Sequence, residues 1–126
     1  VREVPKPVRP PLVELWSARR DGSILRIAGE IDMANAAAVR DRVIAEIRAG
    51  VVHLDLSAVR FFGVAGMDTL LDGHAVLHSQ GKTLRLTCPP VVVRMMHICG
   101  LTELEGLTVT IVTGPDPARR QGAAAQ

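Results

Sequence analysis

Tyrosine is absent from this 126-residue sequence, and Trp16, Phe61 and Phe62 are its only aromatic residues, so any core must be aliphatic. Cysteine is nearly as scarce. Two residues, Cys88 and Cys99, are too few for a secreted disulfide scaffold, and their spacing does not resemble a zinc knuckle; the plain expectation is two buried free thiols. No apolar run approaches the roughly 20 residues that span a bilayer. The N-terminus is rich in proline where a signal peptide would be apolar. These absences point to a soluble cytoplasmic protein. A basic excess on the folded body is missing too. Arg2, Lys6 and Arg9 at one end and Arg119 and Arg120 at the other account for the formal charge of +2. Phosphate-backbone binding needs lysine and arginine clustered on a structured face, so no nucleic-acid partner is expected.

What is present is ordinary globular composition, 48% hydrophobic and 22% charged, in a length that suits one domain with one core. "VREVPKPVRPP" has proline at 5, 7, 10 and 11 and should be an extended arm over 1–11. The domain is expected over 12–113 and a tail over 114–126. "LVELWSA" (12–18) and "SILRIAGEI" (23–31) read as strands, the second alternating at Leu25, Ile27 and Gly29, and "RRDG" between them carries an Asp-Gly hairpin signal. "NAAAVRDRVIAEIRAG" places Ala36, Val39, Val43, Ile44 and Ile47 on one helical face, closed by Gly50.

"VVHLDL" (51–56) suits a central strand covered on both faces. A second helix is predicted from about 64 to 80, with Met67, Leu70, Leu71, His74 and Leu77 in its apolar stripe. "KTLRLTC" (82–88) is a strand, "PPVVVRMMHICG" a short helix opened by proline, and "LTVTIV" (107–112) the last strand. The order β-β-α-β-α-β-α-β predicts an α/β fold, a mixed and mostly parallel sheet packed with helices.

Chemistry-bearing patterns are sparse. His74 and His78 are four apart on a helix, but two imidazoles do not make a metal site, and no metal or cofactor is expected. Ser57 lacks the surroundings of a nucleophile and reads as a turn hydroxyl. Asp55 and Glu30 are strand-end acids that could pair in a sheet cleft, with nothing to mark a substrate pocket. A non-enzymatic protein is the better reading.

Two stretches carry a family likeness. "LRIAGEIDMANA" (25–36) resembles the "GEID" opening of the STAS domain, and "VVHLDLSAVRFFGVAGMDTLL" resembles that family's second signature: a strand, a short loop, then glycine and a leucine-rich helix. "GKTLRLT" followed by "VVVRMMHICGLTEL" matches its next strand and helix, so the likeness runs over about 12–112. It implies an anti-sigma factor antagonist whose partner is a GHKL-type switch kinase. In that family the loop usually holds an acid and two hydroxyls before a glycine, and the hydroxyl next to the glycine is phosphorylated. Those positions match Gly63, Val64, Ala65 and Gly66, with Ala65 at the degenerate phosphoacceptor position.

The resemblance therefore implies binding without the usual switch. The expected partner-binding residues are Phe62, Gly63, Val64, Ala65, Gly66, Met67 and Asp68, with Phe61 packed beneath the loop and Phe62 facing out. Cys88 ends a strand and Cys99 follows a helix, so a redox pair between them is the other candidate for regulation. The alternatives are an accessory or scaffold subunit of a transport ATPase or sensory complex, and a small-ligand or metal-binding protein.

Overall fold

The computed structural model describes residues 15–112. The expected arm, the limits of the domain at 12 and 113, and the tail lie outside the described residues. Five strands, β1 (Trp16–Asp21), β2 (Ile24–Ile31), β3 (His53–Phe62), β4 (Leu84–Cys88) and β5 (Leu107–Ile111), form one sheet in sequence order. Helices α1 (Ala36–Arg48), α2 (Val64–Ser79) and α3 (Pro90–Ile98) make the crossovers. β1 runs antiparallel to β2 and every other pair is parallel, as the order of elements predicts. The hairpin loop is Gly22-Ser23 rather than Asp-Gly, because Asp21 still pairs with Ile24.

β2 alternates perfectly, burying Leu25, Ile27, Gly29 and Ile31. Gly29 has no alternative there: a Cβ would lie 2.0 Å from the Leu15 carbonyl oxygen, which accepts the Glu30 N–H at 2.9 Å, and its φ of 107° disfavours any other residue. β3 is longer than the sequence suggests, running on through Ser57 to Phe62 where a turn was expected. It carries one extra residue against β2 between Asp55 and Ala58 and another between Val59 and Phe61. Each extra residue flips which side chains face inward, so burial passes from Leu54 and Leu56 to Val59 and back to Phe62.

The three parallel crossovers all step the same way across the sheet. Right-handed connections that never reverse direction put every helix on the same face. Val39, Val43 and Ile47 from α1, Met67, Leu70 and Leu77 from α2, and Val92 and Met96 from α3 accordingly share one cluster with Leu54, Leu56, Leu84 and Leu86. This corrects the expectation of a central strand covered on both faces. The residues of β3 that face away from the helices include His53, Asp55 and Ser57, none of them fully buried. Leu71 also departs from expectation, lying exposed beside the α2 stripe in which it was placed.

Candidate functional site

Ile31 pairs with Phe62 in parallel register, so the turn after β2 and the β3–α2 junction emerge side by side at one end of the sheet. The first is built by a reciprocal pair. Asp32 Oδ1 accepts the N–H of Ala34 at 2.9 Å, while Asn35 Oδ1 accepts the N–H of Asp32 at 3.0 Å and Asn35 Nδ2 donates to the Glu30 carbonyl at 2.8 Å. That locked turn leads into α1 and leaves Met33 84% exposed.

The second junction is a single residue. β3 ends at Phe62, α2 begins at Val64, and Gly63 between them is extended, its N–H donating to the Ile31 carbonyl at 2.9 Å. Ala65 therefore sits in the first turn of α2 and not in a loop. No side chain caps that helix and its first turn holds no acid, so its free N–H groups keep their partial positive charge.

The two phenylalanines take the opposite places from those expected. Phe62 is 3% exposed and Phe61 is 50% exposed. The cause is that β3 runs on to Phe62 where a turn was expected: its two extra residues cancel, so the inward parity of Leu54 and Leu56 returns at Phe62 and Phe61 turns outward. Gly66 follows from this. A Cβ there would stand 2.9 Å from two atoms of the Phe62 ring and 3.2 Å from Ile31 Cγ2, so the helix approaches the strand only because the residue is glycine. Met67 is buried as well. Of the seven expected contact residues, Phe62, Gly66 and Met67 thus build the floor, while Val64 and Asp68 are exposed and Gly63 and Ala65 are half-buried.

The surface gains Met33, which the sequence reading did not single out, and Phe61, which it placed beneath the loop. Val64, 66% exposed, shares a side of α2 with Asp68 and Leu71 at spacings of four and seven. Met33 and Phe61 are exposed on the neighbouring turn and strand end. Met33 had a signal of its own: an apolar residue between two turn residues that belongs to no periodic face.

A family model described as Mlab, STAS domain, matches residues 16–111. The chain belongs to the STAS-domain family. Among solved structures, this STAS domain is similar to an anti-sigma factor antagonist from Mycobacterium paratuberculosis at 24% identity and a TM-score of 0.59, covering 88% of this chain and 93% of that one. The anti-sigma factor antagonist SpoIIAA in its unphosphorylated form matches at 14% identity and a TM-score of 0.58, covering 88% and 97%. The Bacillus cell fate determinant SpoIIAA in its phosphorylated form matches at 14% and 0.54, covering 84% and 98%. At such identities the likeness is one of fold. No curated protein sequence matches the chain.

The other residues singled out in the STAS domain are placed as follows. His74 and His78 stack with ring centroids 5.2 Å apart, and His74 Nε2 lies 2.6 Å from the Glu105 carbonyl oxygen, so the pair supports the turn before β5. No group of three or more potential metal ligands occurs among the described residues. Asp55 and Glu30 do not meet. Asp55 pairs with Arg26 at 2.7 Å and Glu30 with Arg60 at 3.7 Å. Ser57 lies in β3, its N–H donating to Asp55 Oδ1 at 3.0 Å. Burial pushes the Asp55 carboxyl up, but the Ser57 hydroxyl and N–H and the Arg26 guanidinium together outweigh it and leave it below its ordinary value.

Both cysteines are free, Cys88 buried and Cys99 exposed. Burial, with the Asp55 charge adding to it, pushes the Cys88 thiol up to about 12. As a neutral, enclosed thiol, Cys88 is a poor nucleophile for disulfide exchange. No helix among the described residues is long and apolar enough to cross a membrane.

Proposed function

We propose that the chain is a cytoplasmic, non-enzymatic regulatory module that binds an anti-sigma factor of the GHKL switch-kinase type without the usual phosphorylation switch. The observation that carries this reading is the exposure of the apolar side chains Met33, Phe61 and Val64 on the two adjoining strand-to-helix junctions, beside Ala65 in the first turn of α2. Exposed apolar side chains rimmed by Asp32, Asn35 and Asp68 suit protein docking better than solvent. The similarity in fold to anti-sigma factor antagonists supports the same role. Ala65 has no hydroxyl, so a kinase that docked there would find no acceptor at that position.

The contact residues in this reading are Met33, Phe61, Gly63, Val64, Ala65 and Asp68, with Phe62, Gly66 and Met67 holding them from below. A few desolvated anchors dominate such interfaces, so Phe61→Ala should weaken partner binding by about 1–3 kcal/mol. The test is capture of the partner from the native cytoplasm, identified by mass, followed by affinity and phosphate-transfer measurements on wild type and Ala65→Ser. Capture of a GHKL-type kinase, with phosphate on Ala65→Ser and none on wild type, is expected. A transport ATPase as the stable partner, or phosphate on residues 57–69 of the wild type, would overturn it.

A further inference from the structure

The face of the sheet away from the helices carries a second recognition feature, independent of the α2 surface. Ser17, Ala28 and Ala58 lie at matched register positions on β1, β2 and β3. Three small residues side by side leave a hollow, and the next rank, Arg19, Arg26 and Asp55, stands beside it as a wall. The resulting depression has a volume of about 610 Å³, within the range of small-molecule sites, roughly 300–1,000 Å³.

The wall is fixed on one side and unsatisfied on the other. Asp55, its side chain only 15% exposed, is held by the Ser57 N–H and by Arg26 at 2.7 Å, and Arg26 also reaches Asp21 at 3.5 Å. Arg19 makes no ion pair among the described residues, although it sits directly opposite Arg26 across the antiparallel pair. Like charges facing each other across strands are destabilising. Asp55 and Asp21 already offset the Arg26 charge, so the positive charge left for an anion is that of Arg19.

We propose that this hollow binds a small molecule bearing a phosphate or carboxylate group. Guanidinium forks match the paired oxygens of either anion. Arg19 supplies a fork with no ion pair among the described residues, Arg26 the donors that Asp55 and Asp21 do not occupy, and Ser17 lines the hollow beside them. The floor of Ala28 and Ala58 leaves room for a compact organic body behind the anion.

The test is an amide chemical-shift titration of the full chain at constant ionic strength, with inorganic phosphate in one arm and succinate in the other. Saturable shifts at Ser17, Ala28 and Ser57 are expected in at least one arm, and the tighter arm identifies the anion. Arg19→Gln, on an exposed side chain without an ion-pair partner among the described residues, should weaken binding at least tenfold. Arg94→Gln removes the same charge from α3, on the other side of the sheet, and should change affinity less than twofold. Absence of saturable shifts at these amides in both arms, or equal weakening by the two variants, would overturn the proposal. Loss of partner capture leaves this outcome untouched, because the two surfaces share no residue.

Discussion

Replacing each of two adjacent phenylalanines by alanine separates the floor of the site from its surface. Phe62 is 3% exposed and lies in the one core cluster, its ring against Gly66 and the strand that carries Ile31. Those neighbours are held by backbone hydrogen bonds of β2 and by the Gly66 N–H to the Gly63 carbonyl at 2.9 Å, so the cavity left by Phe62→Ala cannot close. Truncating a buried phenylalanine costs about 3–5 kcal/mol, and an uncollapsed cavity argues for about 4. Phe61 keeps half of its surface in water, and its ring lies over Gly63. Its truncation forfeits only about 1 kcal/mol of burial. With a urea slope near 2 kcal/mol/M for a domain this size, the unfolding midpoint should fall by about 2 M for Phe62→Ala and about 0.5 M for Phe61→Ala. Partner affinity should rank the other way, Phe61→Ala losing binding while folded. Should Phe62→Ala fail to fold, Phe62→Leu should still be less stable than wild type by about 1–2 kcal/mol. A larger stability loss from Phe61→Ala than from Phe62→Ala would refute the parity assigned to the end of β3.

Burial, then the nearby Arg85 charge, holds His53 below its ordinary 6.5, with its Nε2 2.7 Å from Thr87 Oγ1. The unfolded chain therefore takes up this proton first, so the contribution of His53 is full above pH 6.5 and is lost as pH falls through its lower folded value. His53→Gln should flatten the fall in urea midpoint between about pH 7 and pH 5, and an unchanged slope would contradict this. The Thr69 hydroxyl is buried in α2 with no hydrogen-bond partner among the described residues, so Thr69→Val should match or exceed wild-type stability by up to about 1 kcal/mol; a loss above that would mean the hydroxyl is satisfied. Ala65→Glu places an anion at an uncapped helix start, where the fold tolerates it, but docking would strip its water. Melting temperature should stay near wild type while partner affinity drops at least tenfold, and undiminished binding would move the interface elsewhere.

The elements were legible because their periods are regular. β2 alternates without interruption, and Val39, Val43 and Ile47 keep the helical spacing that buries them. Errors collected where a local count depends on a partner strand. Taken from Leu54, strict alternation puts Phe62 inside, and the structure agrees, yet only because two extra residues in β3 cancel. Within β3 neither irregularity is marked by glycine or proline, since the residues concerned are Leu56, Ser57 and Arg60, and the glycine beside the second shift, Gly29, lies on β2. Pairing with β2 creates them, and a single strand read alone does not show pairing. The open face has the same origin. "VVHLDL" looks like a strand buried on both sides because Val51 precedes β3 and is itself buried, which lengthens the apolar run without belonging to the alternation. Which face stays uncovered follows from strand order: three right-handed crossovers advancing in one direction place α1, α2 and α3 together, whatever the side chains on the far side prefer. The sheet also never reverses its order, so it lacks the switch-point crevice where open α/β sheets usually hold a cofactor. That topology leaves open both the strand-to-helix junctions at one end and the polar face of the sheet behind them.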